Sequence, residues 1–350
     1  MSKNNMIPRI YNDERNIIAE IDDYISFIWT QRYYSPGDFE LCVPISKLKY
    51  FMIGYFVFRK GDEYGGVIEK IEIKKTEEQQ EMLIVSGRSF TSFLGRRVIS
   101  TQQMITGSVL DGIELLINDN IINPSDYARA ISNLEYSTTS QCSAEVEAQY
   151  IGENLLDVIS DLCESNQIGM KCRWDHYMDT YKFETFDGVD KSYSQNVNPR
   201  IIWSDKYDNL YTSEYTEDFS EMATDICVGG EVISNERVIV WSAKDSKRGL
   251  ERYEKFLDAS NTIQNEQIIT LEKYKEQLEG LGLAEVTNYT TAFSGEVDFS
   301  SIMQGNEVDI GDICTIQNSR WGMYVNSRVV EIIESVGEDG TYTVIPTFGS

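Results

Sequence analysis

The chain has a single histidine, His176, in the stretch WDHYMD (residues 174–179), where Asp175 and Asp179 stand beside it. An imidazole between two carboxylates can hold a metal weakly or pass a proton. The competing reading, commoner for such a cluster, is a histidine near a turn among surface carboxylates. With one histidine, a metal site built mainly on imidazoles is impossible, and a serine or cysteine nucleophile could find an imidazole base only here. Six cysteines (Cys42, Cys142, Cys163, Cys172, Cys227 and Cys314) show no C-x-x-C pairing and sit in apolar or strand-like contexts. They are expected as reduced core thiols rather than disulfides or zinc ligands. No G-x-x-x-x-G-K-[ST] phosphate loop and no G-x-S-x-G elbow occurs. GLGLAE, with Gly280 and Gly282, is half a dinucleotide fingerprint, but it follows a helical pattern where that motif must open one. Two carboxylates suffice for glycoside hydrolysis, yet the 57 acidic residues single out no pair. No catalytic residue, cofactor or metal is expected.

The elements that would position any chemistry come from a chain of 350 residues, 41% hydrophobic and 11% aromatic, enough for two or three folded domains. Its formal charge of −26 argues against gripping a phosphate backbone, which needs clustered Lys and Arg. Solubility is the bland account of that acidity. The longest apolar run, YFMIGYFVF (residues 50–58), is interrupted by Gly54 and falls far short of the roughly 20 residues of a membrane helix. No membrane-spanning segment is expected. The N-terminal MSKNNMIPRI lacks the apolar core and cleavage site of a secretory signal, as in a protein made, and at least initially kept, in the cytoplasm.

Up to about residue 106 the pattern is strand-like: NIIAEID, SFIWTQRYY, FELCVP, YFVFRK, GVIEKIEI and EMLIVSGRS, separated by Pro-Gly, Gly-Asp-Glu and Gly-Gly turns, which predicts a barrel or sandwich. From Ser108, placed to cap, Val109, Ile113, Leu116 and Ile117 recur at helical spacing, as do Leu155, Val158, Ile159 and Leu162. IGMKCRWDHY and YKFETFD then read as a hairpin. Strands resume at RIIWSDKY, and a helix is predicted from Glu266 to about Glu279, with Leu271, Tyr274, Leu278 and Leu281 as a stripe packing on its own domain.

In RYYSPGDFEL (residues 32–41) Pro36 presets φ, and Gly37 can supply the positive φ of a type II turn. Phe39, Leu41 and Val43 fall on one side of the following strand, Glu40 and Cys42 on the other. Trp29, Tyr33, Pro36, Gly37, Phe39 and Leu41 are therefore expected as a structural and assembly set, their aromatics making core or subunit contact. A second pattern is an internal echo: GVIEKIEIKKTEEQQEMLIVSGRS and SRVVEIIESVGEDGTYTVIPTFGS share an alternating apolar strand, a glutamate-rich turn, a second strand and a Gly-containing exit. Duplication explains it; so does the general likeness of β-meanders.

RIYNDERNIIAEIDDYISFIWTQRYYSPGDFELCVPIS resembles the N terminus of a family of tail-tip hub proteins from long-tailed (siphovirus-type) bacteriophages and prophages. The likeness continues in order through residues 66–99, 209–231, 249–260 and 309–335 and the final PTFG. Two places depart from it: Thr224-Asp225-Ile226-Cys227 stands where an Asn-containing strand entry is expected, and residues 124–143 match nothing. The resemblance implies a mainly β fold with two similar β-barrel modules, an α/β insertion and a small helix-containing insertion. The corresponding ranges are 1–106 (first barrel), 107–197 (α/β insertion), 198–240 (strands returning to the barrel core), 241–291 (helix-containing insertion) and 292–350 (completion of the second barrel). It implies a non-enzymatic virion tail component, assembled in the bacterial cytoplasm. As in the hub of contractile tails, a homotrimer of two-barrel chains would make a ring with pseudo-sixfold symmetry. Its partners would be a distal tail or tail tube protein, the tape-measure protein and a fibre or spike, with phage DNA passing through unbound.

Two alternatives stay open. Some hub relatives carry peptidase or muralytic domains that degrade cell wall; with the sequence running to Phe348-Gly349-Ser350 directly after its last predicted strand, no such appended domain is expected. A glycan-binding tip would use exposed members of the 21 tyrosines.

Overall fold

Alternating apolar side chains in the N-terminal segment become seven strands: β1 (Pro8–Tyr11), β2 (Ile17–Glu20), β3 (Ser26–Arg32), β4 (Asp38–Pro44), β5 (Phe56–Arg59), β6 (Gly65–Lys75) and β7 (Glu81–Ser89). The structure, a computed structural model, describes residues 6–75, 81–233, 235–245, 247–260, 270–287, 290–294, 297 and 308–349. The seven strands hydrogen-bond in the order β3-β4-β7-β6-β5-β1-β2, every pair antiparallel. Phe27, Trp29, Phe39, Leu41, Val43, Val57, Ile68, Leu83 and Val85 bury together on one face, as period-2 patterning requires. Cys42, expected on the other side, is also buried.

The next stretch alternates strand and helix: β8 (Gln103–Ser108), α1 (Val109–Ile117), β9 (Leu134–Thr138), β10 (Glu145–Tyr150), α2 (Leu155–Ser165), β11 (Gly169–Asp175) and β12 (Thr180–Phe186). Ser108 Oγ accepts from the Asp111 amide and Asn154 Oδ1 from the Leu156 amide, so both helices start at side-chain caps. Val109, Ile113, Leu116 and Ile117 form the buried face of α1, as their spacing predicts. β11 and β12 are the expected hairpin, and β9, from the stretch without a family likeness, runs parallel to β12. A 3-10 segment, Phe90–Arg96, buries Phe90, Phe93 and Leu94 in the core that this insertion shares with Tyr11, Phe58 and Val67. The short β13 (Ile202–Ser204) follows.

Residues 214–293 make a separate compact unit containing β14 (Glu214–Asp218), β15 (Asp225–Ile233), β16 (Glu236–Ser242), β17 (Glu254–Asp258), α3 (Leu271–Ala284) and β18 (Thr290–Ser294). The departure at Thr224-Asp225 has a local use: the buried Asp225 carboxylate accepts from Thr224 Oγ1 at 2.7 Å and pairs with Arg252. The helix α3 follows a Thr270 cap and runs on past the expected end to Ala284; residues 266–269 of the expected helix lie outside the described residues. Of the expected stripe, Tyr274 and Leu278 are buried and Leu281 packs partly buried beside them, whereas Leu271 is 48% exposed; Gly282 joins the face turned to the sheet. Gly282 permits that approach, since a Cβ there would lie 2.3 Å from Ser242 Oγ. The second glycine of GLGLAE serves helix packing.

The last strands are β19 (Ile313–Asn318), β20 (Met323–Val336) and β21 (Tyr342–Gly349). β20 pairs with β19, β21 and β3, so the C-terminal strands join the N-terminal sheet.

The internal echo becomes concrete here. A shift of 261 positions carries Val67↔Arg88, Ile68↔Gly87, Lys70↔Ser86 and Lys75↔Glu81 onto Arg328↔Gly349, Val329↔Phe348, Glu331↔Thr347 and Val336↔Tyr342, and the four intervening pairs correspond as well. The bulged residue, Glu69 in one hairpin and Val330 in the other, falls at the same place. The strand before each hairpin also agrees. Gly54 donates to the Ile68 carbonyl, and the Ile68 amide to Tyr55; Gly311 donates to Val329, and Val329 to Asp312. Gly54 and Gly311 share a φ of 90°. β5-β6-β7 and β19-β20-β21 are thus one module in two copies.

Candidate functional site at the module junction

The two modules are linked through β3 and β4: β4 pairs with β7, and β3 lies antiparallel on the distal half of β20, from Arg32↔Glu331 to Phe27↔Val336. Beyond β3 the chain bends at Tyr33, whose side chain is fully buried. Its amide donates to Val330 in the second module, and its carbonyl accepts from Met170 in the α/β insertion. Its hydroxyl lies 3.2 Å from the Gln167 and Phe186 carbonyls and accepts from the Gly188 amide. The ring fills space that only glycines leave open: a Cβ on Gly169 or Gly311 would come within 2.2 or 2.3 Å of it. The Arg328 guanidinium covers it at 5.1 Å. Three parts of the chain therefore close on one tyrosine.

A charged node lies beside it. Arg59 on β5 pairs with Glu334 on β20 and, at 2.5 Å, with Asp62; Arg59 and Glu334 are both buried. Burial alone would lower the Arg59 guanidinium, but the charges and hydrogen bonds of Asp62 and Glu334 reverse this and raise it. Tyr342 donates to the other Glu334 oxygen at 2.7 Å. Burial first, then Glu334, pushes its phenol well above the ordinary value. Asp312 plays a similar part for the insertion: buried, it accepts from the Val189 and Asp309 amides and pairs with Lys191 at 2.7 Å. A cavity of about 750 Å³ opens between these groups, walled by Arg59, Asp62, Lys171, Lys191, Asp312 and Glu334. Such buried pairs are costly to break, because removing one partner strands the other charge away from water.

The six residues singled out from sequence divide in two. Trp29 stacks on Phe39, directly opposite it on β4, with centroids 5.8 Å apart, and Leu41 faces Phe27; all are core, and Arg59 caps the Trp29 ring at 5.3 Å. Tyr33, Pro36 and Gly37 form the exit from β3, the Pro36 carbonyl accepting from Arg32. The expected positive φ at Gly37 is not found. Glycine is required for another reason: a Cβ would stand 2.1 Å from the Thr30 carbonyl oxygen, because the chain folds back across β3 and gives its own carbonyl to the Ser89 amide. Sequence reading missed Arg59, Glu334, Asp312 and Gly311; the shared Ile-Gly of IGYFVF and IGDICT was the signal available for Gly311.

Around the exposed His176 the carboxylates serve structure. Asp175 accepts from the Tyr177 and Met178 amides and pairs with Lys182 at 2.8 Å. The Lys182 hydrogen bond and the two amides lower its carboxyl from 3.8 to about 2. Asp179 pairs with Arg15 at 2.6 Å, and His176 packs against Trp174. Burial pushes the Cys163 and Cys314 thiols up to about 12, which makes them poor nucleophiles.

A mainly β chain with this insertion has the fold of phage tail proteins. It is similar to the tail protein from Neisseria meningitidis MC58 (12% identity, TM-score 0.59, covering 98% of this chain and 96% of that one). It is also similar to the prophage MuSo2 43 kDa tail protein from Shewanella oneidensis (11%, 0.57, 98% and 98%) and to prophage tail protein gp18 from Listeria monocytogenes EGD-e (11%, 0.56, 98% and 94%). At such identities the likeness is one of fold. Comparison with curated proteins finds no match. Across residues 7–350 the chain belongs to the family of siphovirus ReqiPepy6 Gp37-like proteins.

Proposed function

We propose that this protein is a structural component of the virion tail, a tail-tip hub. Three copies close into a ring of six nearly equivalent β-modules, which matches a sixfold tail tube or distal tail ring on one side and a threefold tip, fibre or spike on the other. The tape-measure protein and then the DNA pass through its bore. The observation that carries this reading is the shared register of β5-β6-β7 and β19-β20-β21 within one chain. Repeated modules give a threefold assembly the contacts of a hexamer.

Nothing in this role calls for catalysis; the chain holds positions rather than transforms a substrate. The charge of −26 per chain suits a bore that repels DNA. Light scattering on the purified protein is expected to give the mass of three chains, and electron microscopy rings with six lobes. A monomer or dimer at every concentration would overturn the hub reading. Peptidoglycan zymography is expected to be blank; lysis lost with one carboxylate pair would replace it with an enzyme.

A further inference from the structure

The two modules differ in one respect that their shared register isolates. On the distal half of β20, residues 331–336, the edge away from β21 is taken by β3 of the same chain. The equivalent half of β6, residues 70–75, pairs with β7 on one side and with no strand on the other among the described residues, because β5 reaches only Gly65, Gly66 and Val67. An open strand edge is a template for pairing. One copy of the module has its strand, and the other lacks it.

Charge identifies what would complete it. In the occupied copy Glu331 faces Arg32 and pairs with it at 2.7 Å. The equivalent of Glu331 is Lys70, so the sign is reversed, and Lys74 and Lys75 follow on the same strand. The Lys70 and Lys74 side chains are 62% and 58% exposed, and Glu72 answers only part of their charge. The incoming strand must therefore be acidic. β14, EYTED, is acidic, presents Glu214, Glu217 and Asp218 to solvent, and has β18 on one side and no second strand partner among the described residues.

We propose that β14 of a second copy adds to the open edge of β6, filling the place that β3 takes on β20. The contact joins two different surfaces, so it runs head to tail and does not stop at a twofold dimer; with the threefold rotation of the proposed ring it closes. The lysines discourage other edge strands while favouring this one. This rests on the ring proposed above and names its interface.

The test is a charge swap. Lys70→Glu with Lys74→Glu, and separately Glu214→Lys with Asp218→Lys, change exposed side chains and should leave thermal melting of the monomer unchanged. Each pair is expected to weaken assembly by about tenfold or more, read as the concentration dependence of mass in light scattering, and the combined quadruple variant is expected to restore it. Trimers indifferent to both pairs, or a loss that the combination does not rescue, would overturn edge pairing and leave the ring standing. A wild-type chain that never assembles would overturn both.

Discussion

At the scale of single residues, Tyr33 shows how little of a side chain's role lies in its hydrophobicity. Its ring would pack equally well as phenylalanine; its hydroxyl would not be replaced. Tyr33→Phe leaves the Gly188 amide without its acceptor, and we expect a loss of about 1–3 kcal/mol in denaturant unfolding. Tyr33→Ala also empties the space that Gly169 and Gly311 leave open and is expected to cost about 3–5 kcal/mol. Asp175 makes a pH-dependent contribution. Its folded carboxyl sits below the ordinary 3.8, so the fold favours the ionised form. That stabilisation is complete above the ordinary value and disappears as pH falls through about 2. Asp175→Asn should lower the melting temperature near neutral pH, and the gap to wild type should close in acid. An unchanged gap down to the lowest pH would show that the ionised carboxylate contributes nothing.

Among elements, two glycines of similar sequence appearance carry opposite expectations. Gly37 lies where the chain recrosses β3, and the atom a Cβ would strike is backbone oxygen, which cannot swing aside. Gly37→Ala is expected to destabilise by about 1–3 kcal/mol or more. Gly280, inside α3, has open space around it, and Gly280→Ala should stabilise by about 0.5–1 kcal/mol. Denaturation midpoints moving the same way for both would contradict this account of the β3 exit. The strand echo belongs to this scale too. Its period-2 pattern was visible in the sequence, but the matching bulges at Glu69 and Val330 rest on backbone pairing that no residue type announces.

For the whole molecule, the junction of the modules is held by ionic as well as apolar contacts. Arg59→Met leaves Glu334 buried without its cation and is expected to cost about 3–5 kcal/mol. Adding Glu334→Gln should recover part of that loss in the same unfolding measurement, since a neutral amide no longer needs the cation. An additive double variant would mean that the two groups do not depend on each other.

The β-rich class, the helices α1, with its Ser108 cap, and α2, the β11-β12 hairpin and the aromatic set around Trp29 and Phe39 were all legible in the sequence. Each depends on neighbours within a few positions, or on an alternation that survives any partner. The pairing of β3 with β20, the convergence of Gly169, Gly311 and Gly188 on Tyr33 and the Arg59–Glu334 contact were decided only in the tertiary structure. Arg59 and Glu334 are 275 residues apart and Arg32 and Glu331 299, and local patterning carries no information about which distant strand will lie alongside.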